Sequence, residues 1–309
     1  MNKITVIGAG RVGESTAQFI ASRDLCRELC LIDIREGAAE GAALDIQQNA
    51  PIFRFDTRLT GGTDYALMAD SDLLIITAGV PRKPGMSRSD VLEINVQVTD
   101  QIVQNALLYA PHCKMLFVSN PVDILTYRAW QKTGWERNRI MGQAGVLDST
   151  RMASFIAMET GYSALDIDAM VMGGHGDAMV PMMRYTTISG IPVSQFLKPQ
   201  QIEDIVKRTR NGGAEILALR QNSSAYDAPA AAIAIMVDAM VNDRKRILPT
   251  VAILQNEYDC DDLAIGVPCV LGKDGMEQVL SLQLDDDELQ NFRASVAAVQ
   301  NDLETLKQL

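Results

Sequence analysis

The chain has 309 residues, 47% of them hydrophobic and 22% charged, a composition that suits a folded chain with a sizeable core and excludes a disordered one. That length exceeds one typical core, so two compact lobes are expected. Lys and Arg number 28 against 39 Asp and Glu, a net charge of −11, which argues against nucleic acid or an anionic membrane as partner. An anionic ligand would have to meet a local cluster of cations.

No apolar run approaches the roughly 20 residues that span a bilayer, and the opening MNKITVIGAG shows no basic stretch followed by a cleavable apolar segment. The expectation is a cytoplasmic protein without a membrane partner. Cys26, Cys30, Cys113, Cys260 and Cys269 are scattered, with neither a CxxC pair nor zinc-ligand spacing, and read as buried free thiols of a reducing compartment. No metal constellation is visible.

In chain order, the first half alternates short apolar runs with longer amphipathic stretches, the pattern of a parallel sheet with helices on both faces. Strands are expected at Lys3–Ile7, Cys30–Ile34, Asp72–Thr77 and Lys114–Ser119. Ligands of open α/β sheets bind outside the carboxyl ends of the strands, so the turns after these runs are the first places to look for chemistry. Beyond about residue 145 the pattern becomes mixed α+β. A helix is expected at Ser149–Thr160 and a strand at Ala169–Met172, then helices at Pro199–Leu219 and Ala228–Val241. Strands near Leu248–Leu254 and Ala264–Leu271 precede a last helix, Asp286–Lys307, which opens on acids that suit a helix N-terminus.

Gly8-Ala9-Gly10-Arg11-Val12-Gly13 matches GxGxxG directly after an apolar run and directly before a helical stretch, the context that gives this short motif its meaning. Gly8 suits the tight turn, Gly10 the approach of a pyrophosphate to the backbone, and Gly13 the close packing of helix on strand. Twenty residues past Gly13, Asp33 stands where a carboxylate can bind the adenosine ribose hydroxyls and repel a 2′-phosphate. NAD is therefore expected over NADP, although Arg35 two residues on could offset part of that repulsion.

Residues 78–88, AGVPRKPGMSR, form a Gly/Pro-rich stretch with three cations, Arg82, Lys83 and Arg88, and no acid. Taken alone it reads either as a loop that closes over a small anion or as an ordinary solvated loop. Only two histidines occur. His112 follows a proline at a turn and reads as a surface residue, whereas His175 sits among glycines after an apolar strand. Such a setting lets a ligand approach a group that titrates near neutrality.

Five segments in one order, GAGRVG at 8–13, ITAGVPRKPGMSR at 76–88, VSNPVD at 118–123, GQAGVLDSTR at 142–151 and MGGHGDAMVP at 172–181, resemble the lactate/malate dehydrogenase family. Within it the chain is similar to the lactate-dehydrogenase-like malate dehydrogenase branch, over essentially its whole length. The resemblance implies an α/β fold in which a Rossmann doubly wound parallel sheet, residues 1–143, binds NAD. A mixed α+β catalytic domain, residues 144–309, then completes a cleft between the two.

It also implies roles. His175 would take the hydroxyl proton during oxidation, a general-base task worth roughly 10²- to 10⁴-fold, with Asp148 orienting its imidazole. Arg151, three residues beyond Asp148 and on nearly the same helical face, would anchor the substrate carboxylate by a bidentate fork. Arg88 would polarise the reacting carbonyl. Asn120 would bridge the reacting oxygen and the cofactor, with Asn95 and Val118 also on the cofactor side. Taken alone, Asp148 reads as a helix N-cap, Arg151 as an exposed helix arginine, and Asn120 as a turn former before proline.

The resemblance makes Arg82 the discriminating position. Arginine there accompanies dicarboxylates and glutamine accompanies lactate, so malate and oxaloacetate are the expected substrate pair. Lactate or another 2-hydroxy acid is the alternative, and a noncatalytic NAD-binding sensor is an alternative of another class. Asp227 is unexpected beside a dianion site and is expected to point to solvent. The family association further implies a homo-oligomer, a tetramer with the dimer as its alternative. The apolar helical stretches at 152–158 and 228–240 are candidates for its contacts.

Overall fold

The computed structural model describes residues 1–81 and 88–307, without the side chain of Arg88. Arg82 and Lys83 thus lie outside the described residues. The first half runs β1 (Lys3–Ile7), α1 (Arg11–Ser22), β2 (Glu28–Ile32), α2 (Ala38–Gln48), α3 (Ala50–Phe53), β3 (Arg58–Gly62), β4 (Leu73–Ile76), α4 (Arg88–Tyr109), β5 (Lys114–Phe117), α5 (Val122–Thr133) and β6 (Ile140–Gln143). The second half runs α6 (Gly145–Thr160), β7 (Ile167–Asp168), β8 (Val171–Gly173), β9 (Met179–Pro181), β10 (Thr187–Ile188), β11 (Ile191–Pro192) and α7 (Pro199–Arg220). It ends with α8 (Asp227–Val241), β12 (Arg246–Gln255), β13 (Asp261–Gly272), β14 (Gly275–Val279) and α9 (Asp286–Leu306).

The strands β3-β2-β1-β4-β5-β6 lie side by side in that order and pair in parallel, the arrangement of a doubly wound dinucleotide-binding sheet. Strands of such a sheet are covered on both faces and read as continuous apolar runs. The Leu73–Ile76 run LLII, buried at every position, shows this most plainly. The sheet does not stop at β6. Antiparallel pairing of β6 with β12, through Gly142 to Val251 and Gln143 to Thr250, carries it into β13, β8 and β9, with β14 pairing the end of β13 on the edge away from β12. A small separate sheet joins β11, β10 and β7.

Two strands of the parallel sheet, β3 and β6, are absent from the sequence expectation. β3 is an edge strand that alternates exposed and covered positions and ends in two glycines, so it lacks the apolar run expected of a buried strand. β6 is only four residues long and leads almost at once into α6. The elements foreseen in the second half stand close to their expected bounds. β2, however, spans Glu28–Ile32 rather than Cys30–Ile34, and Ile34 is 86% exposed beyond it.

One continuous core includes Ile4 and Phe117 from the first half with Ile233, Ile253 and Phe292 from the second, all nearly inaccessible. A smaller cluster under α6 and α7 includes Met152, Ile156, Val171 and Ile205. The apolar residues of α8 are spent inside the chain, since Ala230, Ile233, Met236, Val237 and Met240 are buried, whereas Met158 on α6 remains 67% exposed. At α9, Asp285 Oδ1 accepts the Glu288 amide at 2.9 Å while Glu288 Oε2 accepts the Asp285 amide at 3.1 Å. This reciprocal cap is worth about 1 kcal/mol. The cysteines are free, and four of the five are buried, Cys260 being partly covered. His112 is exposed.

Candidate active site

The turns at the carboxyl ends of β1, β2, β4 and β5 lie together, as the sheet order requires. Gly8 has φ +106°, and its amide donates to Ile32 O at 2.7 Å, which ties the first turn to the end of β2. A Cβ on Gly13 would stand 1.8 Å from Gly8 O, so α1 can approach the turn only with glycine there. Gly10 differs: a Cβ at that position meets nothing within 4 Å. Gly10 caps α1, and no side chain satisfies the first-turn amides, which leaves donors and open space where a phosphate group would sit.

Asp33 follows β2. Its Oδ2 accepts the Ala9 amide at 2.8 Å, and its Oδ1 accepts the Arg35 amide at 2.9 Å. The Arg35 guanidinium binds the same carboxylate through Nε and Nη2 and reaches Ala9 O at 2.9 Å. Burial of Asp33 opposes its ionisation, but the hydrogen bonds from the Arg35 side chain and from the two amides outweigh it and hold the carboxyl below its usual range. The Asp33 carboxylate therefore stays charged at neutral pH.

The other turns are fastened by side chains. Thr77 Oγ1 donates to Gly8 O at 2.8 Å, and Ser119 Oγ donates to Ala78 O at 2.5 Å. Asn95, only 2% exposed, accepts the Val80 amide at 2.8 Å and donates to Val80 O at 3.2 Å and Asn120 O at 2.7 Å. Its carboxamide thus ties together the main chain that follows β4 and the main chain that follows β5. Val118 continues β5, its amide donating to Ile76 O at 2.9 Å, and Asn120, exposed, precedes a cis proline. Arg88 begins α4.

In the second half the structure brings together three of the residues singled out from sequence. His175 Nδ1 lies 2.9 Å from Asp148 Oδ2, and Arg151 Nη1 donates to Asp148 Oδ1 at 3.2 Å. Asp148 is not an N-cap: it sits inside the first turn of α6, which is capped at Ala144, and its carboxylate points to the histidine. Arg151 is not an exposed helix arginine, since its side chain is 12% exposed. Its buried Nε has no hydrogen-bond partner among the described residues, a costly state for a charged donor.

Burial alone would push the His175 imidazole down. The charge and hydrogen bond of Asp148, with a contribution from Asp123, more than reverse this and raise it above 6.5. The His175 side chain keeps 21% of its surface open, and with Nδ1 bound to Asp148 the nitrogen free of that bond is Nε2. Asp227 points outward, 65% exposed, and pairs with Arg220 at 3.2 Å. Tyr226 beside it lies under the Arg220 and Arg11 guanidinium groups.

Residues 2–142 match the family model described as lactate/malate dehydrogenase, NAD binding domain, and residues 145–309 match lactate/malate dehydrogenase, alpha/beta C-terminal domain. The chain belongs to the lactate/malate dehydrogenase family.

Members of that family resemble it over full length. A malate dehydrogenase of Thioalkalivibrio sulfidiphilus is 65% identical over 307 residues, 99% of this chain and 100% of the relative. One of Pseudomonas putida is 54% identical over 309 residues, covering 100% of both. Among solved structures of the family, malate dehydrogenase from Salinibacter ruber superposes with a TM-score of 0.95 at 44% identity, covering 99% of this chain and 98% of that one. A Cryptosporidium parvum lactate dehydrogenase with lactic acid and nicotinamide adenine dinucleotide gives 0.96 at 34% identity, covering 100% and 98%. Overall backbone similarity therefore does not separate the malate from the lactate dehydrogenases of this family.

Two residues at the site were missed by sequence reasoning about the family motifs. Asp123 Oδ2 accepts the His175 amide at 3.0 Å, and Ser295 Oγ accepts the Gly174 amide at 2.8 Å. Asp123 closes the VSNPVD segment and, so placed, reads as an acid at the start of a helix. Ser295 lies 120 positions beyond His175 on an amphipathic helix, where nothing local marks it.

Proposed function

We propose that the chain is an NAD-dependent L-malate dehydrogenase, interconverting (S)-malate and oxaloacetate. The observation that carries this is the contiguous set His175, Asp148 and Arg151, in which one buried carboxylate binds both the imidazole and the guanidinium. In the oxidation direction His175 Nε2 takes the C2 hydroxyl proton, and Asp148 stabilises the imidazolium that forms. Arg151 holds the C1 carboxylate through the guanidinium nitrogens that its single bond to Asp148 leaves unused.

The open amides at Gly10, the tight turn at Gly8 and Gly13, and the Asp33 carboxylate suit a dinucleotide, with Val118, Asn120 and the Asn95-held turns beside it. NAD, when bound, supplies the two-electron acceptor. Asn120 faces the reacting oxygen, Arg88 polarises the carbonyl in the reverse direction, and Arg82 reads the second carboxylate. The cofactor-binding domain spans residues 1–143 and the catalytic domain residues 144–309.

The same reading has the chain act on free dicarboxylates of the tricarboxylic acid cycle in the cytoplasm, as a homotetramer rather than a dimer. Exposed apolar side chains such as Met158 and Phe53 favour self-association. Among the described residues no helix is long and apolar enough to cross a membrane.

NADH consumption by the purified protein, with oxaloacetate and pyruvate offered side by side and NADPH as cofactor control, tests the assignment. Turnover of oxaloacetate with NADH is expected. Preference for pyruvate would keep the chemistry and replace the substrate, and failure with both would leave a nucleotide-binding protein.

A further inference from the structure

The loop that carries His175 is held from two sides. The amide of Gly174 donates to Ser295 Oγ on α9, and the amide of His175 donates to Asp123 Oδ2 on α5. Both acceptors are buried, Asp123 at 6% and Ser295 at 3% exposure. α9 lies directly against the loop, for a Cβ on Gly174 would come within 2.8 Å of Val299 Cγ2. Asp123 stands three residues beyond Asn120, so the turn at the end of β5 and the histidine loop are coupled through one short piece of chain.

We infer that Asp123 and Ser295 are positioning residues for His175. Together they fix two consecutive amides of its loop, and the Asp123 carboxylate supplies a second negative charge beside the imidazole. The inference rests on the dehydrogenase reading for the reaction served, though not for the geometry. The charged groups acting on His175 are Asp148 and Arg151 from α6 and Asp123 from α5; Ser295 on α9 adds a neutral hydroxyl. Asp123 Oδ1 has no hydrogen-bond partner among the described residues. Burial pushes this carboxyl up to about 6, against the opposing pull of the His175 amide and imidazole. A buried acid kept this costly is explained by work done on its neighbour, since a neutral acceptor would hold the amide equally well.

The two effects separate by substitution. Asp123→Asn keeps a side-chain oxygen for the His175 amide but removes the charge, whereas Ser295→Ala removes an acceptor and leaves the charge. Histidine-labelled protein gives the first readout: only His112 and His175 contribute, and the exposed His112 is assigned by His112→Gln. Asp123→Asn is expected to lower the protonation constant of His175 by about three- to tenfold, and Ser295→Ala to leave it unchanged.

In steady-state kinetics with oxaloacetate and NADH, Ser295→Ala is expected to lower kcat by roughly tenfold with little change in KM, the mark of a misplaced proton donor. Asp123→Asn should move the alkaline limb of the kcat/KM profile to lower pH. An unaltered His175 titration in Asp123→Asn, or a Ser295→Ala loss confined to KM or thermal stability, would overturn the inference. The titration is read without substrate, so inactivity of the unsubstituted protein would remove the functional reading while leaving that arm intact.

Discussion

The Arg35 guanidinium grips both oxygens of Asp33, with Nε 3.0 Å from Oδ1 and Nη2 3.2 Å from Oδ2. Arg35 is 63% exposed and Asp33 10% exposed, so the acid is fixed and the base is free to leave. With the adenosine ribose at Asp33, as proposed, its diol would compete with Arg35 for the same lone pairs, and a 2′-phosphate would find in Arg35 a cation close at hand. Arg35→Ala is expected to tighten NADH or leave it unchanged and to weaken NADPH by about tenfold, a difference of about 1.4 kcal/mol. Fluorescence titration of both nucleotides measures it; an Arg35→Ala variant whose NADPH affinity stays level would show that Asp33 alone sets the preference.

The three glycines of the first turn should separate fold from ligand. Gly13→Ala puts a methyl into Gly8 O and forces α1 away from the sheet, at about 1 to 3 kcal/mol or more. Gly10→Ala meets no protein atom and should melt near the unsubstituted temperature while weakening NADH severalfold. Thermal melts with and without NADH make the comparison. Equal stability of the two variants would remove the distinction.

Asp148→Asn should cost roughly 10² to 10⁴ in kcat, and it should change how stability depends on pH. His175 is raised in the folded state, so its pairing stabilises the fold fully below about 6.5 and ceases to do so as pH rises through the raised value. Asp123 is raised from 3.8 to about 6, and its contribution is likewise full below 3.8 and lost as pH rises through about 6. The Asp123 contribution is thus spent by about neutrality, and the decline above it belongs to His175. Urea unfolding from about pH 5.5 to 9 should show the decline above neutrality flattened in Asp148→Asn; a parallel curve would mean that His175 gains little from this partner.

With Arg82 reading the second carboxylate, as proposed, Arg82→Gln should lower kcat/KM for oxaloacetate far more than for pyruvate, by about tenfold or more for a lost charge-assisted bond. Equal losses on both substrates would place recognition of the second carboxylate elsewhere.

Much of this architecture was legible because the chemistry is local in sequence. β1, the glycine turn and Asp33 occupy one short stretch, and Asp148 and Arg151 fall within one helical turn of each other. β3 was hidden because an edge strand needs no apolar run, and β6 because IMGQ places only two apolar residues before a glycine. Asp148 was ambiguous for a sharper reason: a carboxylate near a helix start caps or reaches outward, and only the position of His175 decides. Ser295 was beyond reach, since its significance is a contact made by a distant helix. Asn95 was foreseen at the cleft, but its commitment to the main chain of Val80 and Asn120 needed coordinates.

The antiparallel seam between β6 and β12 has a bearing on how the molecule comes apart. Main-chain bonds cross it, and the core on either side is shared by residues from both segments. No plane of weakness divides the chain where its two family models meet, so neither segment can melt while its neighbour keeps a covered sheet. Calorimetry should trace a single endotherm with equal calorimetric and van't Hoff enthalpies, and a fragment ending near Gln143 would leave β6 as a raw edge prone to self-association.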